Sequence, residues 1–295
     1  MNFKEELAAR CEEVENILRI YAPSEDGYAH TVLECMNYSL FAGGKRLRPI
    51  MMKAVYTAFG GSGKVIEPFM AAMEMMHTSS LIHDDLPAMD NDTLRRGKPT
   101  AWAAYGEDMA ILAGDALMLY SFETAAKSLE LGADPKKVSQ AMALLAGKSG
   151  IFGMVGGQTL DVEMTGKPVD AKQMDYIYKN KTGALIEASF MIGAIMAGAS
   201  DEQIELVKSV ACDVGYAFQI QDDILDMVST EDVLGKPACS DERNMKTTYV
   251  TIHGLEQSHA DVAKMSAAAV DKLRSIGGNT EFLEALINYL IDRKM

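Results

Sequence analysis

The chain is 295 residues long and carries 42 acidic against 28 basic residues, a net charge of -14. That balance argues against a nucleic-acid partner or a general affinity for anionic membranes, so any anionic ligand must be received by local positive charge. The length supports a substantial core, and with no compositional shift or linker it is read as one domain, residues 1–295.

The pattern is helical almost from the start. Leu7, Cys11, Val14 and Leu18 recur at helical spacing, with charged residues between them, up to Pro23-Ser24. A basic run follows, Gly43-Gly44-Lys45-Arg46-Leu47-Arg48-Pro49, and then the turn signal Gly60-Gly61-Ser62-Gly63. From Pro68 to Ile82 nearly every residue is apolar or small, which predicts a helix buried on most sides. That helix runs into an acidic cluster, Asp84-Asp85-Leu86-Pro87-Ala88-Met89-Asp90, followed by a second basic run, Arg95-Arg96-Gly97-Lys98-Pro99. Further apolar helical stretches cover 109–131, 184–199 and 207–227, with turns at Asp134-Pro135, Gly166-Lys167-Pro168 and Gly277-Gly278-Asn279. The stretch 207–227 holds a second acidic cluster, Asp222-Asp223-Ile224-Leu225-Asp226. Strand-like alternation is scarce, so the expected fold is all-α, a bundle of many antiparallel helices around a central cavity. The 21 methionines read chiefly as adaptable core filling.

No apolar run approaches the roughly 20 residues of a membrane span, and the amino terminus lacks the basic-then-apolar layout of a signal peptide. Cys11, Cys35, Cys212 and Cys239 are widely spaced, as free thiols in a reducing compartment would be. The expected location is the cytoplasm.

Carboxylates clustered in apolar surroundings repel one another and lose hydration unless cations neutralise them. Magnesium does this with oxygen ligands and commonly bridges one or two carboxylates to a phosphate-bearing substrate. Arginine forks and lysine point charges nearby suit the phosphate oxygens. Asp222 and Asp226, four apart, project from one helix face and can reach a common ion. Asp84 and Asp90 are six apart across Pro87, so Asp90 is expected on a bulged or terminating turn.

These runs, together with His77, Gly157-Gln158, Asp161, Lys181-Thr182-Gly183 and Phe218-Gln219-Ile220-Gln221-Asp222, resemble in order the trans-isoprenyl diphosphate synthases. The likeness is to the bacterial and plant type that makes farnesyl and geranylgeranyl diphosphate. The resemblance implies head-to-tail condensation of isopentenyl diphosphate with an allylic diphosphate (dimethylallyl, geranyl or farnesyl), assisted by three magnesium ions. It implies Asp84, Asp85, Asp90 and Asp222 as metal ligands, and Asp84, Asp90, Asp222, Arg95 and Lys181 as the catalytic set. By the same resemblance Lys45, Arg48, His77 and Arg96 hold isopentenyl diphosphate. Arg95, Lys181, Lys236 and Lys246 hold the allylic diphosphate, Thr182 and Gln219 line the developing cation, and the protein is a homodimer. The Arg293-Lys294 tail resembles one that closes over the site in relatives, although a frayed charged terminus accounts for it better. Trp102 departs from the usual residue, and Val250 stands where the family often has proline. Ser79 and Ser80, the fifth and fourth residues before Asp84, are small where farnesyl-forming relatives tend to place an aromatic floor, so the product leans toward geranylgeranyl diphosphate. A terpene cyclase and a noncatalytic subunit tuning the chain length of a partner are the alternative readings. The first has no use for the isopentenyl diphosphate set, and the second would be expected to lack one aspartate cluster.

Overall fold

The computed structural model describes residues 2–228 and 247–291. The predicted ligands Lys236 and Lys246, Cys239 and the tail Arg293-Lys294 lie outside these residues. Apart from one two-residue hairpin the described residues contain helices and connecting turns, so the chain is all-α as expected. Its helices fall into two compact units, one comprising residues 1–50 and 63–138, the other 51–62 and 139–295.

In the first unit, α1 (Phe3–Tyr21) starts on a capping box in which Asn2 and Glu5 each accept the other's amide at 3.0 Å. It buries Val14, Ile17 and Leu18 and stops at Ala22, held extended ahead of Pro23. After α2 (His30–Leu40), α3 (Leu47–Ala58) opens immediately behind the glycine pair of the first basic run. The centre is α4 (Glu67–Asp84), the predicted buried helix, with Pro68 in its first turn, where a missing amide costs nothing. Phe69, Met70, Met73, Met75 and Met76 on it are inaccessible to solvent. Each such side chain contributes about 1.5–3 kcal/mol of burial.

The hairpin pairs β1 (Leu94–Arg95) with β2 (Lys98–Pro99) through Arg96 and Gly97, both at positive φ (53° and 74°), the geometry of a tight primed turn. Beyond α5 (Ala101–Tyr105), α6 (Glu107–Ala126) packs against α4. It ends five residues short of the predicted Leu131, where Ser128 turns its hydroxyl onto the Val65 carbonyl at 2.9 Å. Gly114 of α6 lies under His83 of α4: a β-carbon there would sit 2.2 Å from the imidazole Nε2. His83 also approaches the Ile111 carbonyl at 3.3 Å, so it ties two helices together.

The second unit contains α7 (Pro135–Ser149), α8 (Met154–Met164) and α9 (Ala171–Ile177). By length and composition the stretch 135–164 passes for a membrane span, contrary to the sequence expectation, but the backbone turns at 150–153 and leaves pieces of 15 and 11 residues, short of the roughly 20 needed. A π-helical turn, Tyr178–Thr182, links α9 to α10 (Gly183–Ala197), which is buried up to Met196. The long α11 (Asp201–Val228) begins earlier than the predicted residue 207, and it packs on both α10 and the later helix Leu255–Arg274. The remaining helices among the described residues are α12 (Tyr249–His253), α13 (Leu255–Arg274) and α14 (Glu281–Ile291).

Candidate active site

In the first unit, the turn after α4 returns on itself: the Asp90 amide donates to the Asp84 carbonyl at 2.9 Å, closing the loop across Pro87. The bulged turn expected from the spacing is therefore present, and it brings the backbones of Asp84 and Asp90 together. Both side chains are half-buried. Asp85 instead points inward, 2% exposed, with both oxygens on Arg95 at 2.5–2.9 Å. Burial raises its pKa against the opposing pull of Arg95, and Asp92 and Asp90 add to the rise. Expected among metal ligands and phosphate ligands respectively, Asp85 and Arg95 are engaged with one another here.

The first basic run and the hairpin interlock. Arg96 donates to the Gly43 carbonyl, and its guanidinium covers Gly44, where a β-carbon would lie 2.7 Å from Nη1. Gly44 itself has φ 137°, a backbone conformation that favours glycine whatever the movable Arg96 tip does. Arg48 Nη1 lies 3.2 Å from His77 Nε2. Lys45 is exposed on the same loop. Lys45, Arg48, His77 and Arg96, predicted as one group, are thus assembled around residues 43–48. Ser79 is fully buried and Ser80 half-buried, each hydroxyl bonded to a carbonyl of its own helix at 2.8 Å.

Burial, reinforced by Arg48, Arg96, Arg95 and Arg46, holds the His77 imidazole well below its ordinary range, so at neutral pH it is uncharged. Since the unfolded chain takes up this proton first, His77 contributes stability that is fully present above the unfolded value of 6.5 and is lost as pH falls toward the folded one. Unfolding measured from pH 7.5 down to 5 should show this group's loss, approaching about 1.4 kcal/mol per pH unit. His77→Gln should flatten the slope. An identical slope in the variant would assign the loss to other groups.

In the second unit, Lys181 and Thr182 stand on the π turn, a feature that one-turn functional bulges often share. Lys181 Nζ donates to Asp161 of α8 at 2.6 Å, and the Thr182 hydroxyl donates to Gln219 Oε1 of α11 at 2.5 Å. Gln219 Nε2 donates in turn to Asp223 at 2.9 Å, which fixes the amide's orientation. Asp223, 5% exposed, also accepts from the Tyr178 hydroxyl, and from the Tyr249 amide at 3.1 Å, so it fastens the returning residues 248–249 onto α11. Asp222 is exposed and Asp226 buried one turn further on. Lys181, Thr182, Gln219 and Asp223 line a cleft of about 80 Å³ with Asp161, Thr247 and Thr248.

Two close approaches set this geometry. A β-carbon on Gly157 of α8 would lie 2.2 Å from the Lys181 amide nitrogen, and one on Gly215 of α11 would lie 2.9 Å from the Gly183 α-carbon. Sequence reasoning picked out Gly157 only as part of a motif, and it missed Tyr178, Asp223, Arg46 and Glu74. The signal for Glu74 was available: a lone carboxylate midway along an apolar helix needs a buried partner. Trp102 has a packing role, its Nε1 donating to the Asp92 carbonyl at 2.8 Å beside the Thr100 hydroxyl, so the loop after the acidic cluster is closed.

The donors fit magnesium by chemistry: Asp84, Asp90 and Asp222 offer hard carboxylate oxygens. Among the described residues no three acidic, histidine or cysteine side chains converge on one point.

A family model for the polyprenyl synthetases matches residues 29–284. The geranylgeranyl diphosphate synthase of Cyanophora paradoxa is 40% identical over 289 residues, 97% of this chain and 95% of its own. The farnesyl diphosphate synthase of Geobacillus stearothermophilus is 41% identical over 262 residues, 89% and 88% of the two chains. A geranyltransferase from Helicobacter pylori, solved in complex with magnesium and isoprenyl diphosphate, has the same fold, with a TM-score of 0.85 at 29% identity over 99% of this chain and 97% of its own. With the family model spanning most of the sequence and relatives at this identity along nearly their whole length, the chain belongs to the polyprenyl synthetase family.

Proposed function

We propose that the protein is a short-chain prenyltransferase that joins isopentenyl diphosphate head to tail to an allylic diphosphate and releases diphosphate. The observation that carries the reading is the company kept in one unit by two acidic residues whose backbones fold back on each other, Asp84 and Asp90, and the basic group of Lys45, Arg48, His77 and Arg96. The family model runs through both compact units, which supports treating residues 1–295 as one polyprenyl synthetase domain.

In this reading Asp84, Asp90 and Asp222 hold magnesium, up to three ions, with Asp85 beside them steering Arg95. Magnesium held by these carboxylates would supply positive charge to neutralise the allylic diphosphate and stabilise it as a leaving group. Arg95 and Lys181, with Lys236 and Lys246, bind that diphosphate. Thr182 and Gln219, already hydrogen bonded to each other, supply oxygen dipoles beside the allylic cation. The carbon–oxygen bond of the allylic substrate breaks, and the double bond of isopentenyl diphosphate forms the new carbon–carbon bond. A proton then leaves, with the departing diphosphate as its acceptor. Arg48 and Arg96 hold isopentenyl diphosphate without metal, and neutral His77 adds a hydrogen-bonding ring nitrogen.

Purified protein incubated with magnesium, radiolabelled isopentenyl diphosphate and each allylic primer in turn should yield labelled prenyl diphosphates. A terpene cyclase would instead convert the allylic substrate to hydrocarbon without consuming the label, and a noncatalytic subunit would convert nothing alone. Ser79 and Ser80 lie about 6 to 8 Å along α4 from Asp84, and their small size supports a pocket open past fifteen carbons, hence geranylgeranyl diphosphate. Ser79→Tyr, accommodated by deformable neighbours such as Met75 and Met76, should move the main product from twenty carbons to fifteen. An unchanged chromatogram would remove Ser79 as the determinant and point to a floor such as Met118 or Phe122 of α6.

Homodimerisation is supported by α6, which exposes Ile111, Leu112 and Leu119 along one face. Sedimentation would test it. The free thiols Cys11, Cys35 and Cys212 support a cytoplasmic location.

A further inference from the structure

We propose that Arg46 is a positioning residue which, anchored on Glu74, holds the loop bearing Lys45 and the first turn of α3 bearing Arg48 in register with His77 for isopentenyl diphosphate. The inference rests on the prenyltransferase reading above.

Three cations lie within four positions, Lys45, Arg46 and Arg48, and the structure sends the middle one the other way. Arg46 adopts φ 47°, which turns its side chain inward until the residue is 2% exposed. All three guanidinium nitrogens donate there: Nε to Glu15 of α1 at 2.7 Å, Nη1 to Glu74 of α4 at 2.7 Å and Nη2 to the Leu40 carbonyl at 2.6 Å. A left-handed backbone at a non-glycine residue is costly, and it persists where surrounding contacts over-determine it. Three acceptors from three separate elements do so here.

Glu74 and His77 are three residues apart on α4, so they share a face with an axial offset of about 4.5 Å. Arg46 and Arg48 are two residues apart on the facing segment, Arg46 ending the loop and Arg48 in the first turn of α3. Arg46–Glu74 and Arg48–His77 are therefore successive rungs between the same two segments, the inner fully buried and the outer facing the proposed ligand. If the inner rung is lost, the junction between the loop and α3 is no longer fixed against α4, and Lys45 and Arg48 lose their common aim. Nothing in the condensation chemistry uses Glu74, a buried carboxylate in an apolar helix, and this role accounts for it.

The test uses the full chain with Arg46→Met/Glu74→Leu as the main variant, because replacing a buried ion pair with apolar residues of similar volume is often neutral or stabilising. Glu15, a quarter exposed, can turn to water. Calorimetric binding of isopentenyl diphosphate without metal should weaken by at least tenfold in this variant, and its KM should rise to match. The KM for the allylic diphosphate should stay within twofold. Arg46→Lys keeps the charge but not the fork, and it should fall between wild type and the double variant. Isopentenyl diphosphate binding within twofold of wild type in a folded double variant, or equal rises in both KM values, would overturn the proposal. Should the double variant not fold, Arg46→Lys decides on the same two readings. Failure of the prenyltransferase reading looks different: there the wild type itself does not consume isopentenyl diphosphate.

Discussion

Asp84→Asn should lower turnover of the condensation on the order of 10²- to 10³-fold, the scale set by removing one preorganised electrostatic partner of a developing charge. The substitution is nearly isosteric and removes one negative charge from beside Asp85 and Asp90, so the relief of repulsion offsets any lost contact. The thermal midpoint should stay close to that of wild type. Steady-state rates at saturating magnesium and both substrates, with circular dichroism melting alongside, separate the two effects. More than a tenth of wild-type turnover in the variant would take Asp84 out of the metal-binding role. The neighbouring Asp85→Asn makes an informative contrast. It deprives Arg95 of its buried carboxylate, so it should cost stability as well as rate.

Gly157→Ala is the second large effect, and it arises at a residue with no polar side chain at all. The added methyl would lie 2.2 Å from the Lys181 amide nitrogen and 2.8 Å from the Lys181 α-carbon. Ordinary van der Waals contact needs about 3.4 Å or more, so α8 and the π turn must part by about 1 Å, and neither partner is a flexible side-chain tip. Lys181 and Thr182 would shift together relative to Asp161 and Gln219. Misplacement of that size can cost about 10²-fold in rate. The expected result is a folded, less stable enzyme with turnover reduced to that extent, while binding of isopentenyl diphosphate is unchanged. A variant of wild-type rate would mean that the π turn does not set the geometry of Lys181 and Thr182.

The helices were largely legible because periodicity, apolar runs and turn residues are local. The buried character of α4 followed from Phe69 through Met76, and the stop of α1 followed from Pro23. The fold-back of Asp90 onto Asp84 was foreseeable from Pro87 and the six-residue spacing. Arg46 was not separable from Lys45 and Arg48, since its inward turn is decided by Glu15 and Glu74, 31 and 28 residues away. The π turn escaped for a similar reason: residues 178–182 have no composition that marks it, and its setting comes from Gly157 and Gly215 on other helices. Asp223 looked like one more member of an acidic cluster. Only the folded chain brings Tyr178 and the Tyr249 amide to it.

The pairing of Arg95 with Asp85 and of Lys181 with Asp161 has a consequence for the thermodynamics of ligand capture. Under the proposed roles, an arriving diphosphate does not meet bare cations. It competes with an internal anion for each of them, and the gain is the difference between two charge-assisted contacts. Ionic strength weakens both sides of such an exchange, so salt should depress allylic affinity less steeply than it would for a site of uncompensated lysines and arginines.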